Sequence, residues 1–141
     1  MVTFIIGKSG SGKTKWLIDE ANNDLRTGHE NIVFIDTDDS HIFTLDHSIR
    51  LINAKDFHID SKEKLYGFLC GIISKDYDIE KMYLDGIYEI IDLSREEIKT
   101  LTEWLDQITE EFGVKFFVGF EKDVDTLPEH AQGNAVLLYE A

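Results

Sequence analysis

Gly7-Lys8-Ser9-Gly10-Ser11-Gly12-Lys13-Thr14 sits between the apolar run Val2-Thr3-Phe4-Ile5-Ile6 and a segment in which Leu17, Ile18, Ala21 and Leu25 recur at helical spacing up to Gly28. The run reads as a buried strand, the segment as a helix, and Gly28 as its stop. The octet between them matches the pattern G-x-x-x-x-G-K-[ST] at every defined position. In a random chain of this length and average composition such a match arises well under ~1 % of the time, so the motif is specific. A turn that only joins a strand to a helix has a use for the glycines but none for the Gly-Lys-Thr triplet.

The spacing has a chemical meaning. Glycines let the main chain curl around an anion and aim its N–H groups inward, while the following helix brings the positive end of its dipole to the same place. Gly7, Lys8 and Ser9 open the loop, and Gly10, Ser11 and Gly12 form the nest. Lys13 then neutralises the outer phosphates of a nucleotide and the Thr14 hydroxyl is a ligand of magnesium. A nucleoside triphosphate with Mg2+ is the expected ligand, and the absence of the guanine-reading pattern Asn-Lys-x-Asp tilts the choice toward ATP.

Composition bounds the alternatives. The chain has 141 residues, which suit one nucleotide-binding domain over 1–141, and 43 % apolar residues with a single proline imply a packed, element-rich fold. A net charge of −14 argues against nucleic acid, whose binding draws on clustered Lys and Arg. Nucleotide binding tolerates that charge, because screening confines repulsion to about 8 Å and the loop supplies its own positive field. Cys70 has no second cysteine to pair with and falls in the apolar pattern Leu65, Phe68, Leu69, Ile72, Ile73, so it reads as a core residue in a reducing compartment. No leader pattern and no apolar run near the ~20 residues of a membrane span are present, which makes a cytoplasmic protein the expectation.

Outward from the loop, strands and helices alternate. Ile32-Val33-Phe34-Ile35 is a second strand, ending in Asp36, Asp38 and Asp39. Residues 40–60 lack a clear period, with Ile49-Arg50-Leu51-Ile52 a candidate short strand. Ser61 opens a helix to about Ser74, and Lys81-Met82-Tyr83-Leu84 is a strand ending at Asp85. Ser94 and Glu97 form a capping box ahead of a helix whose core face is Ile98, Leu101, Leu105, Ile108 and Phe112, stopped by Gly113. Val114–Val118 and Ala135–Leu138 are further strands, with Pro128 in a loop or short helical turn between them. This alternation predicts an α/β three-layer sandwich around a mainly parallel five-stranded sheet, with ligands at the carboxyl ends of the strands.

That edge selects carboxylates. Asp85 follows an apolar strand and suits the aspartate that orients magnesium through water; its plainer role is to cap a turn with Gly86. Asp36, Asp38 and Asp39 leave a strand toward the same edge, where Asp39-Ser40 also suits a helix cap.

With these residues in view, the chain resembles the P-loop NTPase superfamily, and within it the RecA-like ATPases. Phe34-Ile35-Asp36-Thr37-Asp38, about 25 residues after the loop lysine, is similar to the strand end at which that family carries a water-polarising glutamate, here Asp38. Phe117-Val118-Gly119-Phe120-Glu121 is similar to the later strand whose end senses the γ-phosphate, here Glu121. The resemblance implies a P-loop fold and a nucleoside triphosphate hydrolase with Lys13, Asp38 and Glu121 as catalytic residues. It departs from the family in Asp38, which is shorter than glutamate, in Glu121, which replaces an uncharged group, and in lacking basic DNA-binding loops.

Glu89 is the alternative water-activating residue. Related ATPases place a glutamate directly after the magnesium aspartate; here Gly86 stands there and Glu89 is four residues on, where a loop or helical turn brings it within reach. The arginines are only Arg26, Arg50 and Arg95, and no Lys or Arg follows Lys122. Since one arginine contributes roughly 10³–10⁵ to phosphoryl transfer, a small-molecule kinase with a basic lid is disfavoured and hydrolysis by the isolated chain is expected to be slow. A second copy in a homo-oligomer, supplying Arg50 or Arg95, or a protein partner is the source of a faster reaction. The competing function is a nucleotide-binding switch without turnover. His41 and His47 with Asp38, Asp39 and Asp46 fit no metal-ligand spacing and read as a solvated loop. Trp16 and Trp104 read as packing groups, and Glu96, Glu97, Glu103, Asp106, Glu110 and Glu111 as the wet face of their helix.

Overall fold

The computed structural model describes residues 2–29, 31–38, 44–76 and 78–138. Strand β1 is Val2–Ile6, β2 Ile32–Asp36, β3 Arg50–Asn53, β4 Lys81–Leu84, β5 Lys115–Phe120 and β6 Val136–Leu137. Helix α1 is Lys13–Arg26, α2 Lys62–Lys75, α3 Ile87–Ile90, α4 Arg95–Phe112 and α5 Glu129–Gln132. The strands form one sheet in the order β3-β2-β4-β5-β1-β6, with every pairing parallel. The sheet is therefore α/β and parallel as expected, but it has six strands. The sixth is β3, which uses the candidate segment shifted by one residue, whereas β6 keeps only two of the four residues expected of it. Pro128 precedes the single turn of α5. Asp39, Ser40 and His41 lie outside the described residues.

Period-two alternation divides the strands between two cores. Val2, Phe4 and Ile6 of β1, Val33 and Ile35 of β2, Met82 and Leu84 of β4, and Phe116, Val118 and Phe120 of β5 face α2, α3, α4 and α5. Ile5, Ile32, Phe34 and Tyr83 face α1 through Leu17, Ile18 and Ala21. Helices on both faces make the sheet the middle of three layers, and each fully buried Leu, Ile or Phe contributes about 1.5–3 kcal/mol relative to leaving it in water. Between α1 and β4, Asp24 accepts hydrogen bonds from the Tyr83 hydroxyl and from Lys81 Nζ at 2.8 Å. Burial, and then this bond to Asp24, push the Tyr83 hydroxyl pKa up.

The helix ends follow local chemistry. Ser61 caps α2 by accepting from the Lys64 N–H at 3.2 Å. Ser94 and Glu97 exchange both hydrogen bonds of the capping box. Gly113 ends α4 in the left-handed region at φ 74°. One expectation is corrected: Phe112, the last residue of α4 before the Gly113 cap, is 53 % exposed and not part of the core. Cys70, Trp16 and Trp104 are half-buried packing groups.

Candidate functional site

A parallel sheet brings the carboxyl ends of all its strands to one edge, and every candidate site residue follows from which strand it succeeds. Gly7 leaves β1 and donates its N–H to the Phe120 carbonyl at 3.1 Å. A Cβ at Gly7 would collide with the Ser11 side chain, coming within 2.9 Å of its Cβ, so the loop folds back over a position only glycine fits. Gly10 and Gly12 adopt φ 85° and 97° with open space around them, so there the requirement is conformational. Gly12 caps α1 without a side-chain hydrogen bond, and the first turn carries no acid. The first N–H groups of α1 thus have no capping side chain from the helix itself.

Lys13 is buried, with 7 % of its surface exposed. Its ammonium donates to the carbonyls of Gly7 at 2.6 Å and Lys8 at 3.1 Å, and the Glu121 carboxylate stands 3.9 Å away. A buried charge needs such partners. Thr14 Oγ1 donates to Asp85 Oδ2 at 2.8 Å across 71 residues of sequence. Asp85 is held just past β4, where its N–H donates to the Ile35 carbonyl at 2.9 Å. Gly86 then turns at φ 75°; a side chain there would press within 2.7 Å of Thr37 Oγ1 and 3.3 Å of Glu89 Oε2.

That turn starts α3 and brings Glu89 into the same cleft. Glu89 is exposed on its open side, yet its carboxyl is desolvated on the other. This desolvation, its hydrogen bond to the Glu121 carboxyl, and the charges of Glu121 and Asp85 push its pKa up to about 7 against the opposing pull of Lys13. The cleft has a volume of about 690 Å³ and is lined by Lys13, Thr14, Asp85, Glu89 and Glu121 together with Ser9, Gly10 and Gly12 of the loop. Lys8, Gly7 and Ser11 line a neighbouring groove that Glu121 also borders.

Asp38 is placed differently from these residues in one respect only: exposed beyond β2, it is not among the described residues that line the cleft. Asp36 is buried and accepts from the Thr37 N–H at 2.7 Å. No arginine is among the described lining residues: Arg50 pairs with Asp76 at the amino edge, and Arg95 Nη1 donates to the Asp125 carbonyl at 2.9 Å.

The far wall of the cleft was not singled out from sequence. It consists of Lys15, Ile18, Asp19 and Asn22 on α1 and of Thr44. Asn22 ties α1 to that loop, donating to the Thr44 carbonyl at 3.0 Å and accepting from the Asp46 N–H at 2.8 Å. The available signal was the helical spacing of Lys15, Asp19 and Asn22 after the motif, which places them on one face.

As a set, an uncapped helix start, glycines at positive φ, a buried ammonium and a hydroxyl–carboxylate pair suit a polyphosphate with a divalent cation. Among the described residues no helix is long and apolar enough to cross a membrane. No protein-family model matches the chain, and no curated protein matches it in sequence.

Proposed function

We propose that the chain binds a nucleoside triphosphate, ATP in preference to GTP, together with magnesium, and hydrolyses the γ-phosphate slowly. The observation that carries this reading is the 2.8 Å contact of Thr14 with Asp85 in the cleft that also holds Lys13 and the open start of α1. The N–H groups of the loop hold the phosphates, Lys13 meets the outer ones, and Thr14 with Asp85 holds magnesium directly or through water. Magnesium, when bound, supplies neutralisation of the phosphate charge. Glu89 takes the proton of the attacking water, since it shares the cleft with these groups and has a pKa close to neutral, where a general base works best. Asp38, the other candidate, is not among the described residues that line the cleft.

Slow turnover follows from the absence of arginine in the described lining, since electrostatic stabilisation of the transferring group is the larger part of phosphoryl-transfer catalysis. The same observation favours a second reading, a nucleotide-binding switch without turnover. Phosphate release over hours separates them. The enzyme reading expects release that Lys13→Ala abolishes and Glu89→Gln reduces; nucleotide binding with no release above that of Lys13→Ala supports the switch. Absence of calorimetric heat with ATP, GTP and their non-hydrolysable mimics at millimolar concentration overturns both.

A further inference from the structure

Glu121 occupies a crossing point. It is the residue after β5 and borders two clefts, the one over the loop and a second of about 600 Å³ that runs from Gly7 and Ser11 to Leu137 and Leu138. Its carboxylate forms the ion pair with Lys13, whose two hydrogen bonds go to neutral carbonyls of the loop itself. The anionic partner of the buried ammonium is therefore already supplied by the protein. Around it stand Glu89, which is hydrogen-bonded to Glu121, and Asp85 on the same cleft wall.

The consequences differ along a polyphosphate. Main-chain N–H groups and the start of α1 meet the inner phosphates, and no acid in the first turn of α1 opposes them. Lys13 reaches the outer phosphates, so a third phosphate brings beside Glu121 a like charge that a diphosphate lacks. We propose that Glu121 is a specificity residue that opposes the third phosphate, so that the cleft holds a magnesium nucleoside diphosphate at least as tightly as the corresponding triphosphate. This rests on the nucleotide-binding reading and adds to it a preference between phosphate states. It also supplies a second reason for slow turnover, because the diphosphate product competes well with the substrate.

Calorimetry of the full chain at fixed pH and magnesium, with ADP and a non-hydrolysable ATP mimic, tests the proposal. The wild type is expected to bind ADP as tightly as the mimic or more tightly. The Glu121 side chain is 42 % exposed, so solvent screens part of the repulsion. Glu121→Gln is accordingly expected to tighten the triphosphate mimic about tenfold and to change ADP by less than about twofold. Glu121→Asp keeps the charge and is expected to hold the ratio near the wild-type value, which separates a charge effect from a packing effect. A ratio unchanged in Glu121→Gln, or a triphosphate mimic that binds that variant more weakly, overturns the role of Glu121 while leaving nucleotide binding intact. No heat from either nucleotide with any of the proteins overturns the nucleotide reading and this inference with it.

Discussion

At the scale of single residues Glu89 is the group on which the proposed reaction and the stability of the fold make opposite demands. Its carboxyl is raised from 4.5 to about 7, first by desolvation and then by Glu121. In the proposed reaction it acts as a base and must be ionised, so phosphate release is expected to rise with pH through about 7 and then level. Glu89→Gln is expected to lower the rate by ~10²–10⁴ and to flatten that profile, with nucleotide affinity little changed. Stability runs the opposite way. A carboxyl with a raised pKa binds its proton more tightly in the folded state, so its contribution is complete below about 4.5 and lost as pH rises through about 7. Thermal unfolding of the ligand-free chain should fall in midpoint across that window, and less steeply in Glu89→Gln; equal slopes in both proteins would remove Glu89 from the account. Gly12 is a second residue-scale test. At φ 97° an added Cβ is strained although nothing crowds it, and Gly12→Ala is expected to cost about 1–2 kcal/mol in denaturant unfolding.

At the scale of elements, the site depends on α1 and β4 keeping one relative position, since Thr14 comes from the first and Asp85 follows the second. Near the other end of the same two elements, Asp24 of α1 is fastened to Lys81 and Tyr83 of β4, with Lys81 also 5.7 Å from the Phe117 ring. Asp24 and Lys81 are both largely buried, so removing the carboxylate leaves an ammonium without its counter-charge. Asp24→Ala is expected to lower stability by about 3–5 kcal/mol in urea unfolding, and Asp24→Asn by less because it still accepts from Tyr83. A loss under ~1 kcal/mol in Asp24→Ala would show that solvent reaches Lys81 and that the pair does not brace the helix.

At the scale of the molecule, parallel strands deliver Gly7, Asp85 and Glu121 to one edge while leaving the arginines out of the described cleft lining. Arg50 starts β3 at the opposite edge, and Arg95 is tied to the loop after β5. Turnover per chain is therefore expected to stay constant as protein concentration rises; an increase that Arg95→Ala abolishes would instead place that arginine in the cleft of a second copy. The loop, the alternation of strands with helices, the capping box at Ser94 and the stop at Gly113 were legible in the chain, because each is set by dihedral preference, apolar period or a hydrogen bond within a few residues. Segment 50–53 was only half legible, since its half-buried positions in an aperiodic region become a strand by pairing with β2. Phe112 had the core period yet is exposed at the last turn of α4, where the apolar period alone does not fix burial. Lys13, Asp85, Glu89 and Glu121 were each legible as candidates, but that they line one cleft, with Asp38 not among its described lining residues, was decided by the tertiary structure. Sequence encodes neighbours along the chain, whereas strand order and the turn at Gly86 set which distant carboxylates share one cleft.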